Sequence, residues 1–267
     1  TLVGSRERRS TSLRGVEHMG DSEMIEVRCG KAAHAINQAH AFKLLELYSR
    51  VTGRDVHLND PSFVAALFTL LTRYTSLGGD GMQAALNGTA FDALREHFGV
   101  EAECFASPLN CRWEGYCSAF PDTDRPFGSS GDFFTRFGSG GIVEGSFEAN
   151  PPFVAAVIGR MAHTMGAALD AAERASKALS FTVIVPSWSE DKAHNFGGLA
   201  SSAYLTRQLI SRNRRHHYSE GAQYKRRVGQ LRRSTCDTAI YFLQTRAAAE
   251  RWPASEAACE ALLSALS

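Results

Sequence analysis

The sequence predicts an α/β fold: a sheet built with crossover connections and an N-terminal helical region packed on it. Three observations predict it. Up to about residue 100, apolar residues recur mostly at helical spacing. Beyond that point short apolar runs alternate with a long helical pattern, the texture of a sheet with crossover helices. Four of those runs end in proline and polar residues: Ser107-Pro108-Leu109-Asn110, Pro121-Asp122-Thr123-Asp124, Asn150-Pro151-Pro152-Phe153 and Pro186-Ser187-Trp188.

Taken in order, residues 1–30 are charged, Gly- and Ser-containing and weakly periodic, and read as a flexible lead-in. Residues 31–100 read as the helical region. In its first segment, from Ala32, Ile36, Phe42, Leu44, Leu45 and Tyr48 fall near helical spacing. Asp60-Pro61 supplies a cap and first-turn proline for a second helix carrying Phe63, Ala66, Leu67, Leu70 and Leu71. Leu77-Gly78-Gly79-Asp80-Gly81 breaks that helix. A third begins near Thr89 or Ala90 and stops at Gly99. Residues 101–267 read as the sheet-containing core. Its strands are expected at Ala102 to Ala106, Gly115 to Phe120, within Gly141 to Ala149, at Phe181 to Val185 and at Thr238 to Leu243. One long Ala-rich helix is expected between Val154 and Leu179, with Val157, Met161, Met165 and Leu169 on one side.

Composition narrows the class. With 267 residues, 44% of them hydrophobic and 16 of them Phe, the chain has enough apolar mass for a substantial core, which excludes a disordered polypeptide. No apolar stretch approaches the roughly 20 residues needed to cross a bilayer, so no membrane partner is expected. With no initiating Met and no signal-peptide pattern, the chain reads as a soluble piece of something longer. Cys29, Cys104, Cys111, Cys117, Cys236 and Cys259 form no C-x-x-C pair and have no His at zinc-finger spacing. Neither a metal site nor a disulfide framework is therefore expected, and a reducing compartment is the default.

In open α/β sheets ligands sit beyond the carboxyl ends of the strands, so the four proline-rich ends are expected to line a cleft. Asn150-Pro151-Pro152-Phe153 has a specific chemical rationale there. The exocyclic amine of adenine is a poor nucleophile, because its lone pair is delocalised into the ring. Two acceptors aimed at its two N–H bonds return electron density to nitrogen and point the lone pair at an electrophile. The side-chain oxygen of Asn150 suits the first role and the carbonyl of Pro151 the second, its backbone held by the fixed proline φ. Phe153 offers a flat face on which a base stacks, worth about 1–3 kcal/mol. The pattern points to methyl transfer from S-adenosylmethionine. A sulfonium leaving group needs no protonation, so positioning and electrostatics suffice and no strong general base is required.

Glu103 to Cys111, Tyr116 to Asp124 and Gly145 to Phe153 together resemble the catalytic domain of the phosphorylated-CTD-interacting factor family. The likeness extends upstream through Gly81 to Leu86 and Phe98-Gly99-Val100. Downstream it takes in Phe181 to Trp188 and Thr238 to Gln244, so that it spans about residues 60 to 252. The family contains the cap-specific adenosine-N6 methyltransferases. The resemblance implies that the sheet is a Rossmann-like class I methyltransferase core, with S-adenosyl-L-methionine as cofactor and the 5′ end of capped mRNA as partner. The implied reaction is methylation of N6 of the first transcribed adenosine beside the cap. Asn150, Pro151, Pro152 and Phe153 match the catalytic motif. Ser107, Pro108 and Asn110, with Asn150, fall where the methionine end of the cofactor binds, and Asp122 or Asp124 where its ribose binds. The Gly-x-Gly turn common in such folds is missing at the first of these strand ends. Arg73, Tyr74 and Gln83 are pocket residues on the same resemblance, and a nuclear location follows from it. Trp113, Trp188 and Trp252 are too widely spaced to form the family's WW module, so polymerase-tail binding is not supported by this chain. A monomer is expected.

The formal net charge of +1 hides an asymmetry. Between Ser201 and Cys236 stand nine Lys or Arg residues and one acid, Glu220, interleaved with His216, His217, Tyr218 and Tyr224. Cations with aromatics suit an RNA backbone and its splayed bases. Arg214, Arg215 and Tyr218 are the residues expected to meet RNA, and Trp188 to stack on a base. Two other readings stay open: an N6-adenine methyltransferase acting on internal RNA or DNA adenines, and a non-catalytic RNA- or protein-binding module of the same fold.

Overall fold

The computed structural model describes residues 13–18, 23–78, 84–187, 198–212, 215–225 and 231–267. Its centre is a six-stranded mixed sheet in which four parallel strands are extended by two more. The parallel strands are β5 (Ala102–Ala106), β6 (Gly115–Ser118), β7 (Gly145–Ala149) and β8 (Leu179–Pro186), and the spatial order is β6-β5-β7-β8. Next to β8 lies β12 (Thr238–Gln244), antiparallel to it, and beyond β12 comes β9 (Leu205–Ser211), antiparallel in turn. Every residue of β7, β8 and β12 is buried, the mark of strands covered on both faces. This is the α/β, Rossmann-like arrangement expected.

One face is covered by α6 (Ala155–Arg174), the helix that carries the chain from β7 back to β8. Ile158, Met161, Met165 and Leu169, at helical spacing and wholly buried, pack on Phe147, Phe181, Val183 and the short helix α5 (Phe133–Gly138). The opposite face is covered by two separate groups of helices. α3 (Gly88–Phe98) and the C-terminal α8 (Glu256–Leu266) pack over Ile184, Ile240 and Phe242. α3 is capped by the Asn87 side chain, which accepts from the Ala90 N–H, and stops at Gly99 with φ +62°. A side chain at Gly99 would collide with the Trp252 ring, so close approach fixes glycine there as firmly as the turn does. Between β12 and α8 lies α7 (Arg246–Arg251).

The second group comes from upstream. β1 (Leu13–His18), β2 (Met24–Cys29) and β3 (Ala32–Asn37) form an antiparallel sheet that leads into α1 (Gln38–Thr52) and α2 (Pro61–Ser76). α2 starts as its sequence predicts, with Asp60 accepting from the Ser62 and Phe63 N–H groups and Pro61 in the first turn. Leu44, Leu47, Tyr48, Phe63, Leu67 and Leu71 close a core with Leu109, Cys111, Tyr116 and Phe127. α1 and α2 thus stand over the strand-end region of β5 and β6, whose own connection is only residues 107–114 and contains no helix. Following β6 comes the short α4 (Pro121–Asp124).

Two readings of the N-terminal part are corrected. The stretch taken as a flexible lead-in includes β1 and β2, and Ala32 opens a strand rather than a helix. In β2 only Ile25 and Val27 are buried, with Glu26 between them, so the period-two signal is short. In β3 the small residues of Ala-Ala-His-Ala carry little signal of either kind, and the helix begins only where the Asn37 side chain accepts from the His40 N–H. Phe42 is 49% exposed and belongs to no core. A last small sheet joins β4 (Ala85–Leu86) to β10 (His217–Ser219) and β11 (Leu231–Arg233), in the order β11-β10-β4.

Candidate functional site

The chain leaves β5 for β6 on one side and returns to β7 on the other, so the strand order reverses at β5. At such a switch point the connections diverge and open a crevice beyond the carboxyl ends of the strands. Ser107–Asn110 after β5 and Asn150–Phe153 after β7 flank that crevice, with Pro121–Asp124 after β6 alongside.

The β7 end is set by one hydrogen bond. Asn150 Nδ2 donates to the Ala84 carbonyl at 3.1 Å, immediately before β4. A carbonyl partner demands the nitrogen, so the amide orientation is fixed and Oδ1 is the end left to accept. Among the described residues no backbone N–H donates to the Pro151 carbonyl, whereas the Pro152 carbonyl accepts from Val154 at 2.6 Å. Pro151 is buried, Pro152 half-buried, and Phe153 is 39% exposed despite its size. The quartet therefore presents two acceptors and an aromatic ring.

The ends of β5 and β6 are held from outside. Ser107 donates to Asn110 Oδ1 through both its N–H (2.7 Å) and its hydroxyl (2.9 Å), and its carbonyl accepts from the Asn110 and Cys111 N–H groups. Asn110 Oδ1 thus shapes the turn, and Ser107 and Pro108 are themselves buried. Lys43 reaches from α1 to donate to the Cys111 carbonyl at 2.6 Å. From the last turns of α2, Arg73 donates to Asp122 at 2.8 Å and Tyr74 to Asp124 Oδ2 at 2.7 Å. The Arg73 guanidinium also lies 4.9 Å from the Phe120 ring centre. Arg73 and Tyr74, expected in the pocket, are thus the residues that hold the two aspartates expected there.

The two aspartates differ. Asp122 remains open to solvent, while Asp124 is wholly buried and its Oδ1 makes no hydrogen bond. Burial pushes the Asp124 carboxyl up to about 6, against the Tyr74 and Ser118 hydroxyls and the Phe120 N–H, which favour its ionised form. Asp122 is the one accessible to a ligand.

Sequence reasoning passed over two acids beneath the crevice. Glu103 on β5 and Glu148 on β7 are register partners on adjacent strands and both are buried. Glu103 Oε1 accepts from the Arg112 (2.7 Å) and Trp113 (3.0 Å) N–H groups, which ties the 107–114 connection down, and burial raises its carboxyl to about 7. Glu148, two residues before Asn150, is pushed well above the usual carboxylate range by burial and by Glu103, and its Oε1 has no partner among the described residues. An acid inside an otherwise apolar strand was the available signal in both cases.

The structure does not bring the basic stretch together as expected. Tyr218 is buried, its hydroxyl paired with Thr238 Oγ1 at 2.9 Å and its phenol pushed up to about 12 by burial, so it offers no ring to a base. His216 is buried between Ser211 and Thr238, and Tyr224 is buried as well. Arg215, Arg232 and Arg233 are exposed. Gln83, Trp188 and Arg214 lie outside the described residues. A hollow of about 490 Å³, lined by Glu101, Arg136, Glu144 and Phe147 among others, opens at the opposite ends of β5 to β7 and shares no residue with the crevice.

The family model described as the phosphorylated CTD interacting factor 1 WW domain matches residues 43–221, a span that includes all three flanks of the crevice. Two curated relatives are similar over most of this chain. The human mRNA (2'-O-methyladenosine-N(6)-)-methyltransferase is 36% identical over 200 residues, and the mouse protein of the same name 35% over 199. Each match covers 71% of this chain and 27% of the relative, so the chain spans about a quarter of their length. By the family match over most of its length, the chain belongs to the phosphorylated CTD interacting factor 1 family.

Proposed function

We propose that this chain carries an S-adenosylmethionine-dependent RNA methyltransferase site acting on N6 of the cap-adjacent first transcribed adenosine of mRNA. The observation that carries the reading is the fixed amide of Asn150. Its nitrogen is committed to Ala84, so Oδ1 and the undonated Pro151 carbonyl are two acceptors beside the exposed Phe153 ring. Both relatives are named for the same reaction on adenosine N6.

The residues of the crevice fit the cofactor. Exposed Asp122 suits the ribose diol, and the tightly hydrogen-bonded turn at Ser107–Asn110, at the strand-order reversal, lies where an amino-acid end would rest. When bound, S-adenosylmethionine supplies a methyl group activated on a sulfonium. The chain's own residues do the rest. Phe153 stacks the base, and Asn150 Oδ1 and the Pro151 carbonyl accept the two N6 hydrogens. The amine lone pair is thereby directed out of the ring plane, positive charge developing on nitrogen meets two acceptors, and one of the two N6 protons then leaves to water, which restores a neutral amine. Their orientation is preset, because the Ala84 bond and the proline φ fix them before substrate arrives. Exposed Arg215, Arg232 and Arg233 supply cations for the RNA phosphates. A nuclear site of action accompanies this reading.

Mass spectrometry of adenosine-start RNA after incubation with protein and cofactor tests it. A 14-dalton gain confined to capped RNA and mapped to the first adenosine is expected (~14 for one CH₂ equivalent, as positioned transfer requires). Equal methylation of uncapped RNA at internal adenines would replace the cap reading, and no methylation with either RNA would overturn it.

A further inference from the structure

The crevice presents an anion at the β6 end, Asp122, but the cofactor's amino-acid end also carries a carboxylate, which calls for a cation or for free N–H donors. The turn after β5 supplies none from its own residues: Ser107, Pro108, Leu109, Asn110 and Cys111 are all neutral. Nor is this turn a Gly-x-Gly turn, whose free backbone N–H groups would bind an anion.

Lys43 stands over this turn. It is half-buried on α1, next to the fully buried Leu44, and its ammonium donates to the Cys111 carbonyl at 2.6 Å. The Cys111 N–H in turn closes on the Ser107 carbonyl at 2.8 Å, so the ammonium is fixed to the turn itself rather than to a mobile neighbour. Among the described residues no carboxylate lies within ion-pairing distance of it. The acid whose charge it feels, Glu103, is buried and spends Oε1 on the Arg112 and Trp113 N–H groups. An ammonium has three N–H donors, and the Cys111 carbonyl uses one. A partly desolvated cation without a paired anion is costly, and an anionic ligand group relieves that cost.

We infer that Lys43 is a cofactor-recognition residue, its ammonium binding the carboxylate of the amino-acid end of the methyl donor at the turn that ends β5. The inference rests on the methyltransferase reading above and assigns to α1, outside the sheet, the role that a glycine-rich turn performs from within it. It also gives the helix-free connection between β5 and β6 a functional consequence. With no crossover helix in the way, a side chain from upstream reaches the strand end.

Two ligands separate this from a merely structural role. S-adenosylhomocysteine carries the amino-acid end, and 5′-methylthioadenosine shares its nucleoside and thioether but lacks that end. Calorimetry on wild type, Lys43→Met and Lys43→Arg with both ligands is the test. Lys43→Met is expected to lose affinity for S-adenosylhomocysteine by about 10- to 100-fold, the worth of a charge-assisted hydrogen bond. Its affinity for methylthioadenosine should stay within about twofold, and Lys43→Arg should recover part of the loss, since it keeps the charge. Equal losses for both ligands would mean that Lys43 only shapes the turn, and unchanged S-adenosylhomocysteine affinity would remove it from the site. Reduced RNA affinity with cofactor affinity intact would assign its ammonium to phosphate instead. A wild type that binds neither ligand would overturn the methyltransferase reading along with the inference.

Discussion

The two parallel connections that meet at the crevice are built in opposite ways. From β7 the chain passes through the 20-residue α6 and returns as β8, so helix, strands and the Asn150–Phe153 quartet all lie in one continuous segment. From β5 it reaches β6 through residues 107–114 alone, and the space a crossover helix would fill is taken by α1 and α2 from far upstream. The first connection is self-contained but for one bond, from Asn150 to the Ala84 carbonyl. The second is assembled by long-range contacts: Lys43 to Cys111, Arg50 to Glu114, Arg73 to Asp122 and Tyr74 to Asp124. The difference teaches that the proposed acceptor half lies on one continuous segment and is oriented by a single long-range bond, Asn150 to Ala84, while the proposed cofactor half depends throughout on docking of the N-terminal helices.

Breaking the self-contained side should cost the most stability. Leu169 is wholly buried in α6, and Leu169→Ala is expected to lower unfolding free energy by about 2–5 kcal/mol in denaturant titration. The loss should fall on the whole fold, without a selective change in cofactor affinity.

The assembled side should show itself in pH dependence. Glu103 holds the short connection through two N–H groups, and burial raises its carboxyl from the ordinary range to about 7. The folded state therefore keeps a proton that the unfolded chain has already released. The stability so contributed is complete below the ordinary carboxylate range and is lost as pH rises towards about 7. Melting curves across that window should show stability falling by roughly 1–3 kcal/mol. Glu103→Gln, whose amide oxygen still accepts from both N–H groups, should reduce the slope and leave the part that the raised Asp124 and Glu148 carboxyls carry. A slope unchanged in that variant would place its origin elsewhere.

The smallest effect is the most selective. Tyr74→Phe removes the hydroxyl that donates to Asp124, leaving a wholly buried carboxyl with neither oxygen served by that helix. It should cost about 1–3 kcal/mol of stability. It should also weaken S-adenosylhomocysteine binding more than it weakens RNA binding, because the β6 end loses its anchor. Equal weakening of both would break the division between the two halves.

What the sequence disclosed follows the same division. The strands at 102–106, 181–185 and 238–243, the α6 helix and the Asn150 quartet were legible because each is written in consecutive residues: an apolar run, a stop, a polar end. Ser107, Pro108 and Asp122 were legible as positions at strand ends, but their partners were not. Nothing in the spacing of Lys43 or Tyr74 says that they meet Cys111 and Asp124, since those contacts arise from packing of α1 and α2. β2 and β3 were missed because their buried positions are few, and the strand at Leu205–Ser211 was obscured by its basic surroundings, Arg207 included. The aromatics among those basic residues looked like a base-stacking surface. Tyr218 instead points inward, because a strand flanked by exposed cations still has a face to bury, and His216 before the strand and Tyr224 in the turn after it are buried too.

The central claim is that the oriented Asn150 acceptor makes the adenine amine reactive. Single-turnover methylation of a capped adenosine-start RNA by wild type and Asn150→Ala tests it most directly, with thermal melting as the check on folding. The account predicts a native-like melting transition and a rate reduced on the order of 10²-fold or more, the usual scale for losing one preorganised polar group. A folded Asn150→Ala protein that methylates N6 at the wild-type rate would contradict it.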